Sequence, residues 1–259
     1  MKIIGINSSL RHERCPVTQH KSFTRELLAV ALDHVCCRSA DVEAEIIDLG
    51  EYRFGFEQGA YSSDENFAQM RHPAGIDDMP ALYAKVLTAD AVIFSSPTYW
   101  GYPSGLLKAF IDRLTALDEI SDDPAKRRLQ GKVAGAIATA KFDGSSRVAQ
   151  DILSMANYLG FVIPPHAFAF HTGRVTTSVL EDDAEFGANY FARRNAQAVA
   201  ENVYRMVMLV RGAEWRVFQE FTHPLSEDES RGVFDLGQER RRCAEANGFR
   251  RLNEDKGLV

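Results

Sequence analysis

The chain has 259 residues, 45% hydrophobic and 25% charged, an ordinary globular mix long enough for one large domain, alone or with an extension. Its formal net charge of -6 leaves no electrostatic footprint for nucleic acid or an anionic membrane, and no apolar run reaches bilayer-spanning length. Four cysteines are too few for a disulfide scaffold and "MKIIGI" does not read as a leader, so the expected compartment is the reduced cytoplasm.

Lys2–Ile6 is short and almost wholly apolar, as in a strand buried on both faces of a parallel sheet. A polar loop, Asn7–Lys21, leads to Ser22, which can cap the helix "FTRELLAVALDHVCC". Glu43–Leu49 is a second strand. Residues 50–75 have the length and irregularity of a functional loop or insertion. A helix over 77–89 follows, then a third strand over Asp90–Ser96 and a helix over Gly105–Asp118. The fourth strand is 132–140, with a glycine–serine loop and the helix Arg147–Leu159 after it. Residues 161–170 make a fifth, interrupted strand, and a helix over Asp182–Val210 closes the set. Five strands alternating with helices imply an α/β fold, a doubly wound parallel sheet covered on both faces. The expected domain is 1–210. Residues 211–259 form a C-terminal extension with little apolar periodicity but five aromatics: Trp215, Phe218, Phe221, Phe234 and Phe249. Such a segment reads as an arm packed on its own domain or on a neighbour.

In sheets of this kind ligands bind beyond the carboxyl ends of the strands, where strand order reverses. The loop after the first strand carries Ser8, Ser9 and Arg11, and Ser22 and Thr24 open its helix. Helix N–H groups, hydroxyls and a guanidinium suit an anion, although an ordinary serine-rich loop with an N-cap would use the same residues. The loop has neither the Walker pattern nor the three-glycine dinucleotide fingerprint. The loop after the third strand, "PTYWGYPSG", holds Tyr99 and Trp100 between Pro97 and Gly101. That suits a flat heterocycle, and equally a plug at a core edge or a subunit interface. The loop after the fourth strand is "TAKFDGSS".

Together "IGINSSLR…SFTRELL" and "IDDMPALYAKVLTADAVIFSSPTYWGYPSGLLKAFIDRL" resemble the flavodoxin-like NAD(P)H-dependent FMN reductases, a family similar to WrbA-type quinone oxidoreductases and iron–sulfur flavoproteins. The resemblance covers roughly residues 1–205. It implies a flavodoxin-like five-stranded sheet of order 2-1-3-4-5 with non-covalent FMN. It assigns Ser9, Arg11, Ser22 and Thr24 to the phosphate, with Phe23 among the cofactor-binding residues, and Pro97, Thr98, Tyr99, Trp100 and Gly101 to the isoalloxazine ring. Thr139, Lys141, Gly144 and Ser145 would close over the flavin's other side. The phosphate loop is longer than the family's, and residues 50–76 carry no cysteine, so no iron–sulfur cluster is expected there.

The implied activity passes a hydride from NADPH or NADH through FMN to a quinone, flavin or similar small acceptor, with no catalytic side chain required. The alternative is a flavodoxin-type one-electron carrier that docks on redox proteins. The resemblance also implies a homodimer or homotetramer. No metal site is expected. His12, Cys15 and His20 lack zinc spacing, Cys36 and Cys37 read as packing residues, and His166 and His171 as surface or satisfied histidines.

Overall fold

The computed structural model describes residues 1–11, 21–57, 77–117, 128–173, 184 and 189–211. The expectations for His12, Cys15, His20, residues 58–76 and the extension from 212 onward lie outside the described residues. Among the described residues no helix is long and apolar enough to cross a membrane.

The strands are β1 (Lys2–Asn7), β2 (Glu43–Asp48), β3 (Ala91–Tyr99), β4 (Tyr102–Pro103), β5 (Val133–Ala140) and β6 (Phe168–Thr172). The main sheet is parallel in the order β2-β1-β3-β5-β6, and β4 folds back antiparallel on β3. Apart from this hairpin the order is the expected 2-1-3-4-5. Gly5 of β1 stands opposite Ile46 on one side and Ile93 on the other, so β1 is a central strand.

Alternation along each strand divides the core into two layers. Ile4, Ile6, Val92, Phe94, Ala134, Ala136 and Ala138 face one way, with α2 (Met79–Thr88), α3 (Gly105–Arg113) and α4 (Ser145–Tyr158). Ile3, Ala91, Ile93, Val133 and Ile137 face the other way, with α1 (Phe23–Arg38) and α5 (Tyr190–Val210). Complete burial of one such Ile or Phe contributes about 1.5–3 kcal/mol. At Gly135 α5 comes so close that an added Cβ would stand 2.8 Å from Val199 Cγ1. A side chain there would force the helix off the sheet.

Several boundaries differ from expectation for local reasons. The helix expected over 105–118 ends at Arg113 and tightens into a 3-10 turn, Leu114–Leu117. The interrupted fifth strand makes one bridge, Val162 to Val133, and resumes at Phe168. Pro164 and Pro165 lie between and have no N–H for the ladder. Cys36 and Cys37 are exposed rather than packed, because Val35 is the last inward residue of α1.

The outer edges of α1 and α5 are tied at Glu201. Its carboxylate takes His34 Nε2 at 3.3 Å, Arg38 Nε at 3.1 Å and Arg205 Nε at 2.8 Å. Burial alone would raise the Glu201 carboxyl, but the Arg205 bond, the Arg38 charge and the His34 bond outweigh it and hold it below its ordinary value. A carboxyl lowered on folding stabilises above its unfolded pKa, near 4.3, and that contribution disappears as pH falls through the folded value. Glu201→Gln is therefore expected to cost about 0.5–1 kcal/mol at neutral pH, since Arg38 and Arg205 are largely solvated. Thermal melts of both proteins between pH 7 and 3 should show the gap closing below about pH 4.5. A gap that stays constant down to pH 3 would remove the carboxylate's role.

Candidate functional site

Because β1, β3 and β5 run in parallel, their C-terminal loops meet at one edge of the sheet, where β1 stands between the two directions of winding. They enclose a pocket of about 760 Å³, within the usual ~300–1,000 Å³ of small-molecule sites. Its lining is Ser9, Arg11 and Lys21–Thr24 from the first loop and α1, Pro97–Gly101 from the second, and Thr139–Asp143 from the third.

One side of the pocket is polar and cationic. Ser22 caps α1, its Oγ accepting from Arg25 N at 3.2 Å. Accepting leaves the hydroxyl proton available to donate. Ser9 Oγ likewise accepts from Arg11 N at 3.3 Å. Thr24 and Thr139 share a hydrogen bond of 2.6 Å between their hydroxyls, joining α1 to the end of β5. The first-turn N–H groups of α1, which have no acceptor within the helix, open on the same side. Arg11 and Lys21 add positive charge, with Lys21 3.6 Å from Glu26.

A buried polar frame holds these groups in place. Asn7 Nδ2 donates to Asp48 Oδ1 at 2.6 Å, and Asn7 Oδ1 accepts from Ser9 N at 3.2 Å. Arg25 Nε reaches both Asp48 oxygens, at 3.1 and 3.0 Å. Ser104 Oγ donates to Ser8 Oγ at 2.8 Å, Ser8 Oγ donates to the Ser95 carbonyl at 2.9 Å, and Ser104 N donates to Ser96 Oγ at 2.9 Å. The first and second loops are therefore one hydrogen-bonded unit.

The other side is aromatic. β3 does not stop at Ser96 as expected: it continues to Tyr99, turns at Trp100–Gly101, and returns through Tyr102 and Pro103. Both turn residues have positive φ, 54° and 79°, the signature of a two-residue type I′ hairpin. Glycine adopts this readily; a tryptophan does so at a cost, and such strain collects at functional sites. Trp100 is 99% exposed, and Tyr99, Tyr102 and Phe142 are each more than half exposed around it. Thr98 Oγ1 is buried with no hydrogen-bond partner among the described residues. The Phe23 ring has Lys141 Nζ 5.9 Å from its centroid and the His171 ring, tilted against it, also at 5.9 Å.

Twelve of the fourteen residues assigned from the sequence line this pocket; Gly144 and Ser145 do not. Gly144, at φ 80°, presses on the hairpin, an added Cβ there standing 3.5 Å from Gly101 Cα. Ser145 is buried, its Oγ 2.7 Å from Thr172 Oγ1. Lys21, Ala140, Phe142 and Asp143 line the pocket without having been singled out. Lys21 is the cation next to the cap, and Phe142 is the aromatic of the third loop, so both carried a signal. His171 is buried rather than at the surface, and Asn189 Nδ2 donates to its Nδ1 at 2.9 Å. His166 is exposed, at φ 52°. Among the described residues no group of three metal-ligating side chains comes together.

The sheet order and the pocket over the ends of β1, β3 and β5 define a flavodoxin-like α/β protein. Residues 1–174 match the NADPH-dependent FMN reductases, and the chain belongs to that family. FMN is the cofactor of this family and NAD(P)H its electron donor, and the chain is an oxidoreductase of that class. It is similar to the 8-demethyl-8-aminoriboflavin-5'-phosphate synthase of Streptomyces davaonensis, 22% identical over 236 residues, 91% of this chain and 88% of that one. It is also similar to the divalent metal cation transporter MntH of Mycobacterium bovis, 28% identical over 142 residues. That stretch is 54% of this chain and only 21% of the Mycobacterium protein. Among solved structures, RosB with bound 8-demethyl-8-formylriboflavin-5'-phosphate superposes with a TM-score of 0.67 at 20% identity, covering 100% of this chain and 94% of that one.

The residues present fit FMN. Hydroxyls, cations and a helix N-terminus suit a phosphate dianion, a set of aromatic side chains suits a flat ring system, and Thr98 Oγ1 has bonding capacity to spare.

Proposed function

We propose that this pocket is the FMN site and that the protein passes electrons from NAD(P)H to a quinone, free flavin or similar small acceptor. The observation that carries the reading is the convergence of the three loops on one pocket, cationic on one side and aromatic on the other. Bound FMN supplies two-electron redox chemistry between donor and acceptor. Everything else falls to the chain. Ser9, Arg11, Lys21, Ser22 and Thr24 hold the phosphate, with the α1 N-terminus behind them. The Pro97–Gly101 segment supports the ring from one side, and Thr139 and Lys141 bound it from the other. Trp100 and Phe142, exposed at the mouth, border the opening where donor and acceptor enter in turn and set their approach. The Asn7–Asp48–Arg25 clamp keeps the phosphate loop from shifting relative to α1.

In the corresponding experiment, the flavin released by heat is identified by chromatography and the holoprotein is mixed anaerobically with NADPH or NADH. FMN is expected as the flavin, with its visible band bleaching within minutes and returning when a quinone is added. Failure of both nucleotides to bleach it sinks the enzyme reading. A second reading, in which FMN is itself the substrate modified at its ring, is favoured by one observation. Similarity to the Streptomyces synthase extends over 91% of this chain, beyond the residue-174 limit of the family match. Recovery of a chemically altered flavin from the same reaction would support it.

A further inference from the structure

Outside the pocket lining, the guanidinium of Arg147 lies over the Tyr102 ring, 5.6 Å from its centroid. The contact joins two elements that the fold brings together at the pocket mouth. Tyr102 is the return residue of the hairpin, paired across it with Tyr99. Arg147 is in the first turn of α4, which starts where Gly144 meets Gly101. Both side chains are mostly solvent-exposed, Tyr102 at 60% and Arg147 at 69%. The Asp151 carboxylate, one turn along α4, stands 3.7 Å from Arg147 Nε, a solvated contact of little strength. The ring contact restrains the guanidinium beside the hairpin. A planar guanidinium fork matches a phosphate with two parallel hydrogen bonds.

The rim cations are divided between the sides of the mouth. Arg11 and Lys21 belong to the α1 side, where the flavin phosphate is placed, and Lys141 lies against Phe23. Arg147 is on the hairpin side, over Tyr102, which follows the exposed Trp100 by two residues. A dinucleotide whose nicotinamide enters past Trp100 must leave its adenylate half along the rim, because the pocket itself is taken up by the flavin. We propose that Arg147, braced on Tyr102, binds the 2′-phosphate of NADPH and is the residue that makes the protein distinguish NADPH from NADH. The two donors differ only in that phosphate. The proposal rests on the oxidoreductase reading above, in which the donor approaches over the hairpin.

The test uses FMN-loaded protein and two probes, 2′,5′-ADP and 5′-AMP, titrated by calorimetry. The wild type should prefer 2′,5′-ADP. Arg147→Gln should weaken 2′,5′-ADP about tenfold relative to 5′-AMP, equivalent to about 1.4 kcal/mol. Arg147→Lys, which keeps the charge but loses the fork, should recover part of the preference. In steady state, the NADPH KM of Arg147→Gln should rise about tenfold relative to the NADH KM. A preference for 2′,5′-ADP that survives in Arg147→Gln, or is missing in the wild type, overturns the subsite. Those results remain distinct from failure of the underlying reading, in which neither nucleotide bleaches the flavin.

Discussion

Arg113→Leu is expected to lower folding stability by about 3–5 kcal/mol, the largest single effect we anticipate in this chain. Arg113 and Asp77 form an ion pair of 2.6 Å, with side chains only 4% and 7% exposed. Burial works against the guanidinium's charge, and its hydrogen bond to Asp77 more than restores it. Arg113 Nη1 also reaches the Gly55 carbonyl at 3.4 Å, and the Arg113 carbonyl accepts from Tyr83 Oη at 2.8 Å. One side chain thus ties the end of α3 to the segment after β2 and to the start of α2. Leucine would leave the Asp77 carboxylate buried without its counter-charge. Asp77 Oδ1 also accepts from Met79 N at 2.9 Å, at the start of α2. In the double variant Arg113→Leu/Asp77→Asn an acceptor remains for Met79 while the stranded charge is removed, so part of the loss should return. Urea unfolding of wild type, single and double variants measures this from midpoints at constant slope. A double variant no more stable than Arg113→Leu would show that the stranded charge is not the cause.

Arg11→Ala and Thr24→Ala should each weaken FMN binding by roughly 10- to 150-fold, about 1.5–3 kcal/mol, without unfolding the protein. The two losses differ in kind. Arg11 is exposed, so its contribution should shrink as salt is added. Thr24 is buried and hydrogen-bonded to Thr139, so its removal also leaves the Thr139 hydroxyl without that partner. Thr24→Ser should restore most of the affinity. Riboflavin, which lacks the phosphate, is the control. Titrating apoprotein with both ligands should show Arg11→Ala losing FMN affinity and keeping riboflavin affinity. A parallel loss of both would move Arg11 away from the phosphate, and no loss of either would remove it from the site.

The pocket residues that were legible in the sequence share one property: they lie next to strand ends that composition marks clearly. Ser9, Pro97 and Thr139 sit where β1 and β3 leave the apolar core and where β5 ends, so placing the strands placed them too. Ser22 was legible as a cap and Arg11 as a cation beside it. The hairpin was not, because nothing apolar drives β3 beyond Ser96. Its extension to Tyr99 comes from backbone pairing with Tyr102 and from the left-handed turn at Trp100–Gly101. An aromatic pair spaced by a glycine-bearing dipeptide was the available signal. The sequence presents the third loop as one run from Thr139 to Ser145, yet only Thr139–Asp143 line the pocket. α4 begins at Ser145, turning that residue toward Thr172 and Gly144 onto the hairpin.

What the sequence determined by itself was the set of elements and their layering. Continuous apolar runs can be satisfied only by strands covered on both faces, and a period-2 alternation of Ile, Val and Ala leaves two layers for helices to cover. These are local consequences of burying side chains, so neighbouring residues suffice to state them. What only the tertiary structure decided was which distant residues share a hydrogen bond or a stack. Ser8 meets Ser104, Arg113 meets Asp77 and Arg147 lies over Tyr102 because helices and strands far apart in the chain dock at particular depths and rotations. Such pairings depend on packing between layers, a shift of one helical turn would exchange every partner, and no pattern within a single segment records them.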